Sequence, residues 1–343
     1  MELVNSTPLI LQAVPLQIRR NGFMLVLIVK GTFTVSTDGR LRLADEQLPV
    51  LFGDQYNDPK QGGSVRFESD LVPFKPRADI ILAGQAHAPQ GRPVSHMEVS
   101  LQVGTCQRSV VVFGDRYWDA ISGHKRMTPT KPFTTMPLVY ERAFGGMDKL
   151  NGAVFEANPV GRGFLVKQPP NEHPFALPNL EDPDHLIRSW QDRPPPAGFG
   201  VVGKTWQPRA AHLGTYDEQW QEELAPGPPK DFRSDFFNGA PAGLQVQGYL
   251  RGNETVKLIN LTPDGMLGFR LPGRRILTRV TLTQRDDQGY PLDAGTRIEE
   301  PAMRLDTLGL LPDQRQFFMV WRGHCRIGDL TAREVDQVEV RLL

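Results

Sequence analysis

No window of eleven or more residues between Glu2 and Gly145 repeats its apolar side chains at helical spacing. Short runs rich in Val, Ile, Leu, Phe and Thr, divided by turn residues, stand there instead, and that is the pattern of strands joined by hairpins. Phe23–Val35 reads FMLVLIVKGTFTV and ends at Asp38-Gly39, a dipeptide suited to the positive φ of a tight turn, before alternation resumes at Arg40–Leu43. A hairpin is expected there. Val65–Phe67, Ala78–Leu82, Met97–Val103 and Gln107–Phe113 read as further strands, the last two joined by a tight turn at Gly104–Cys106. The pattern returns with Leu244–Leu250, Thr255–Leu261, Leu267–Leu271 after an Asp264-Gly265 turn, Ile276–Thr283, Phe317–Trp321 and Gln337–Leu342. Strands this closely spaced, without helices between them, favour antiparallel pairing over a doubly wound sheet. The expected class is mainly β. Antiparallel, sandwich-like sheets are expected in an N-terminal region, 1–150, and a C-terminal region, 244–343, either as two bodies or as one continuous one.

The stretch between them, 151–243, has a different composition. It holds 14 of the 30 prolines, with 8 basic against 12 acidic side chains. Those features alone suit a solvated linker. The aromatic content does not, because Phe155, Phe164, Phe175, Trp190, Phe199, Trp206, Tyr216, Trp220, Phe232, Phe236 and Phe237 carry too much apolar area to leave in water. A Pro/Gly-rich, irregular but packed joining segment is expected, partly helical over Asp184–Gln191 and Asp217–Leu224. Each of those would start at an acid able to cap free backbone N–H groups.

Charge and cysteine usage narrow the partners. Lys plus Arg equals Asp plus Glu at 39 each, so no overall positive field exists to release counterions from a nucleic acid. The longest apolar run, Phe23–Val29, spans 7 residues, where a membrane helix needs about 20. No basic start precedes a long apolar stretch at the N-terminus. Cys106 and Cys325 lie far apart, with no second Cys or spaced His pair beside either. The reading is a soluble, cytoplasmic protein of a reducing compartment, with neither nucleic acid nor membrane as partner.

Gly198–Thr205, GFGVVGKT, satisfies the phosphate-cradling P-loop pattern. Its flanks do not suit that use. Pro194–Pro196 leave no strand ahead of it, and Pro208 falls within the first turn of the helix that should follow. A glycine-shaped loop over packed rings is expected instead. The histidines at 87, 96, 124, 173, 185, 212 and 324 include no zinc-protease pair, no calcium loop occurs, and no G-x-S-x-G elbow surrounds a serine. The adjacent acids Asp286-Asp287 and Glu299-Glu300 would point to opposite faces of a strand, which is wrong for a glycosidase pair. No catalytic residue, metal or cofactor is assigned, and the chain is not read as an enzyme.

What stands out is a series of clusters that place Arg or Lys beside a carboxylate, amide or ring: Asp70 with Lys75 and Asp79; Gly114–Trp118; Tyr140–Gly146; Asn158–Phe164. A guanidinium with five donors can bind the loop carbonyls of a segment poor in regular structure. With Trp206, Arg209, Gly214–Asp217, Trp220, Pro229–Phe232, Leu258–Gly265 and Phe269–Pro272, these clusters in this order resemble a bacterial domain-of-unknown-function family, number 2169, linked to type VI secretion. The resemblance runs from about Leu3 to Trp321, with Ala78 standing where the family leads one to expect a hydroxyl residue. It implies an effector adaptor or chaperone, which binds the PAAR-type spike-tip segment of a secreted effector and helps load it onto the spike protein. It brings no catalytic residues. Trp206, Arg209, Tyr216, Trp220 and Phe232 are the candidate partner-binding residues. A β-rich carbohydrate-binding or carbohydrate-active protein is the alternative.

Overall fold

The strand Gly22–Val35 is buried along nearly its whole length, as an unbroken apolar run requires. Our computed structural model describes the chain apart from residues 21, 61, 120–125, 168–173, 287, 289 and 329–334. In it this strand lies inside a seven-stranded sheet ordered Ile10–Arg19, Gly22–Val35, Gln316–Gly328, Arg304–Leu311, Ala78–Leu82, Gln245–Val246, with Leu41–Leu43 also paired to Gly22–Val35. The expected hairpin is present. Leu41–Leu43 pairs antiparallel with Phe33–Val35 through a turn in which Gly39 has φ +80° and its Cα lies against the Gly268 carbonyl. Side chains alternate between two apolar clusters: Leu25, Leu27, Val29, Phe317, Met319 and Trp321 on one face, and Met24, Val26, Ile28, Phe318 and Val320 on the other.

The protein is mainly β, with several sheets. A five-stranded sheet runs Leu180–Glu181, Cys106–Phe113, His96–Val103, Thr255–Ile259, Met266–Arg270, and a four-stranded one runs Glu2–Asn5, Val335–Leu342, Ile276–Arg285, Pro291–Glu299. Most pairing is antiparallel. Ala78–Leu82 nevertheless runs parallel to Arg304–Leu311, and Glu2–Asn5 to Val335–Leu342. Segments so distant in sequence have ample chain to return in the same direction, which a short hairpin cannot do. One apolar cluster takes side chains from all three sheets, including Leu27, Val99, Leu101, Val110, Val280 and Val338.

Among its described residues the middle stretch contains one α-helix, Glu218–Glu223, and short 3-10 turns at Arg209–His212 and Ser234–Phe237. Asp217 caps that helix by accepting from the Trp220 backbone N–H at 2.8 Å. The helix expected over Asp184–Gln191 does not form. There carboxylates take the amides a helix would need: Asp182 Oδ1 accepts from Asp184, Glu181 Oε2 from Ile187, and Asp192 Oδ2 from both Arg188 and Ser189. The strand expected over Leu244–Leu250 shrinks to Gln245–Val246, because Gly248 and Tyr249 adopt positive φ and turn the chain away. Among the described residues no helix is long and apolar enough to cross a membrane.

Candidate partner-binding site

Arg209 and Trp206 lie on adjoining turns of the middle stretch, and both are buried. The Arg209 guanidinium makes four hydrogen bonds within the protein. Its Nη1 donates to Glu68 Oε1 at 2.6 Å and to the Val202 carbonyl at 2.7 Å, its Nη2 donates to Glu68 Oε2 at 3.2 Å, and its Nε donates to the Phe236 carbonyl at 2.9 Å. Such a fork ties two loops to a strand-side carboxylate and commits four of the five guanidinium donors inside the protein. Trp206 meets the Tyr140 ring edge-on, at 5.4 Å between centroids. Neither residue therefore offers a free surface.

The glycine-rich loop belongs to this packing. No strand enters Gly198–Thr205 and no helix leaves it. Gly198 and Gly200 lie beside the Tyr140 ring and Gly203 on Trp206; a Cβ would crowd the ring at Gly198 and Gly203 and only touch it at Gly200. Phe199 and Val201 are fully buried, and Lys204 Nζ is spent on Asp54, at 2.9 and 2.8 Å from its two carboxylate oxygens. Burial by itself would raise the Asp54 carboxyl, but the Lys204 contact and the Ser69 amide outweigh it and hold the group below the usual carboxylate range.

The other three candidates are less buried, Tyr216 exposed and Trp220 and Phe232 half-buried. Tyr216 is 48% exposed and packs against Trp220, with ring centroids 4.6 Å apart, while Trp220 Nε1 donates to the Gly227 carbonyl at 2.8 Å. Asp231 accepts from the Thr215 amide and hydroxyl at 3.0 and 2.9 Å, which staples the Tyr216 turn to the chain before Phe232. Phe232 is half-buried and joins Phe236 and Phe237 in a ring cluster that reaches Phe74. The five residues thus divide into a buried pair and an outer group.

The remaining clusters are internal ties. Asp70 pairs with Lys30 at 2.9 Å, Lys75 with Asp79 at 2.6 Å, and Arg116 with Glu181. Asn158 donates to the Tyr140 and Phe144 carbonyls at 2.8 and 3.0 Å, and Glu141 holds Ser64. Among the described residues no three His, Cys, Asp or Glu side chains gather as metal ligands; His124, His173 and Asp287 lie outside those residues.

Residues 20–322 match the model of a family described as uncharacterized protein conserved in bacteria (DUF2169). The chain belongs to that family. No curated protein and no solved structure matches it. The match covers all five candidate residues of this DUF2169 protein, and also a pocket that the sequence did not mark. That pocket lies beside Arg209, has a volume of about 430 Å³, and is walled by Arg77, Arg108, Tyr140, His212 and Asn238 among others. Tyr140 belongs to the Tyr140–Gly146 cluster of the sequence. Arg108, His212 and Asn238 come from separate elements, and nothing local in their sequence announces that they meet.

Proposed function

We propose that this protein is a non-enzymatic adaptor or chaperone of bacterial type VI secretion. In the cytoplasm it binds a secreted effector through its PAAR-type spike-tip segment and helps load it onto the spike protein. The observation that carries this reading is the set of ion pairs that ties down the proline-rich middle stretch. Arg209 to Glu68, Lys204 to Asp54 and Arg116 to Glu181 fasten a region with little regular structure, and the Tyr216–Trp220 rings stay at the surface. A preorganised surface carrying aromatic rings loses little freedom when it grips another polypeptide. The ordered clusters from Asp70 to Pro272 supply the link to secretion.

Two further features support a binding body. The sharing of one apolar cluster by three sheets suits sandwich-like packing of the sheets, which we infer as the finer architecture. Met266–Arg270 is an end strand of the five-stranded sheet, and its Met266 is 72% exposed, an apolar contact for an effector segment. A stable complex of this kind buries upwards of ~1,200 Å².

The test is co-expression with the spike-tip effectors encoded beside it. Expected is a complex that stays together through affinity and size-exclusion steps. Separate elution of several cognate pairs would overturn the proposal.

A further inference from the structure

The pocket beside Arg209 is built like a ligand site. Its volume of about 430 Å³ falls within the ~300–1,000 Å³ of pockets that hold small groups. Phe155, Ala157, Pro195, Pro196 and Pro241 give it an apolar wall. Three lining residues carry a buried polar atom that finds no partner in the protein: Arg108 Nε, His212 Nδ1 and Asn238 Oδ1. Asn238 is the most deeply buried of the three. It is 2% exposed, and its Nδ2 is committed to the Arg77 carbonyl at 2.8 Å and Asp79 Oδ1 at 2.9 Å, so its oxygen is an acceptor waiting for an N–H. Buried polar atoms are rarely left in that state.

The charge of the wall is equally specific. It carries three guanidinium groups, Arg77, Arg108 and Arg209, against one carboxylate, Asp235. Arg77 is paired with Asp235, and Arg209 with Glu68. Arg108 has neither an ion pair nor a hydrogen bond among the described residues. It projects from the strand Cys106–Phe113 and stands with Nη1 about 3.2 Å from where a Cβ on Gly243 would be, so the glycine leaves it room. A partly buried, uncompensated guanidinium calls for an anion with a planar fork of acceptors.

We infer that this pocket binds an apolar residue that ends in a free carboxylate and carries an amide N–H. Arg108 pairs with the carboxylate, Asn238 Oδ1 accepts the N–H, and the proline and Phe155 wall covers the apolar side chain. The C-terminus of a polypeptide and a free N-acyl amino acid present the same atoms. The inference does not depend on the adaptor reading, because it rests on the pocket alone.

Calorimetric titration of the full-length protein tests it with four probes: N-acetyl-leucine, N-acetyl-leucinamide, and a leucine-ended peptide as acid and as amide. Expected is binding of at least one acid, with its amide at least 10-fold weaker. R108Q should reduce the acid to the affinity of the amide, and A157W, which fills the pocket from its wall, should abolish binding. Binding of the peptide acid alone assigns a chain end, and binding of N-acetyl-leucine assigns a small molecule. Equal affinity for acid and amide, unchanged affinity in R108Q, or no acid bound at millimolar concentration overturns the inference. Should R108Q not fold, the acid-to-amide ratio and A157W still decide.

Discussion

Arg209 and Tyr216 share one stretch of chain yet answer to different forces. Arg209 and Glu68 are both largely out of water, so removing the cation strands a buried carboxylate along with two loop carbonyls. Arg209→Met should lower the unfolding free energy by about 3–5 kcal/mol in urea titration. Tyr216→Ser, at an exposed position, should change stability by less than about 1 kcal/mol and, on the adaptor reading, weaken effector capture. A variant at Arg209 that kept full stability would show that the fork carries little. In the sequence both residues looked alike, as polar or aromatic anchors in a proline-rich region. What separates them is a carboxylate 141 residues away from Arg209, and no local pattern announces such a distance. Arg108 is hidden for the same reason. Its turn-flanking place in an alternating strand reads as solvent-facing, while the neighbours that wall it in stand at Tyr140, His212 and Asn238.

At the scale of elements, legibility followed burial on one face or two. The hairpin from Phe23 to Leu43 and the pair His96–Val103 with Cys106–Phe113 announce themselves by β-branched runs and turn residues. Arg304–Leu311 did not. It is central in its sheet and buried on both faces, so it lacks alternation, and Asp306 and Gly309 look like breakers. Both have a place in the structure: Asp306 is tied to Arg322, and Gly309 makes room for the Phe318 ring, its register partner on Gln316–Gly328. The ring cannot retreat freely, since Phe67 meets it edge-on at 5.5 Å and Lys30 Nζ stands 4.6 Å from its centroid. A methyl group at Gly309 overfills this site. Gly309→Ala should therefore cost about 1–3 kcal/mol, read as a lower urea midpoint at unchanged slope. A variant as stable as the parent would mean that the sheet yields there.

For the molecule as a whole, the decisive fact is which strands meet across the sequence. Gly22–Val35 has Ile10–Arg19 on one side and Gln316–Gly328 on the other, while both neighbours of Ala78–Leu82 come from beyond residue 240. These pairings were not legible, because strand patterns name strands and not their partners. Phe199 and Trp206 of the proline-rich interval join the apolar cluster of the sheets, and its Glu181 and Arg209 pair with Arg116 and Glu68. Residues 1–150 alone would leave an apolar strand with an unpaired edge along Leu25 to Val29, where the intact chain buries it completely. Closing the sheet requires chain ends separated by most of the sequence, so the contacts that reward folding arrive late. Expressed alone, 1–150 should show no cooperative urea transition by circular dichroism and should aggregate through that edge. Co-expression with 151–343 should restore a soluble complex, since the missing strands pair without the covalent link. A cooperative melt from the isolated fragment would show instead that its short sheets and the cluster around Val99, Leu101 and Val110 suffice by themselves, and that the long-range pairing only adds to a body already folded.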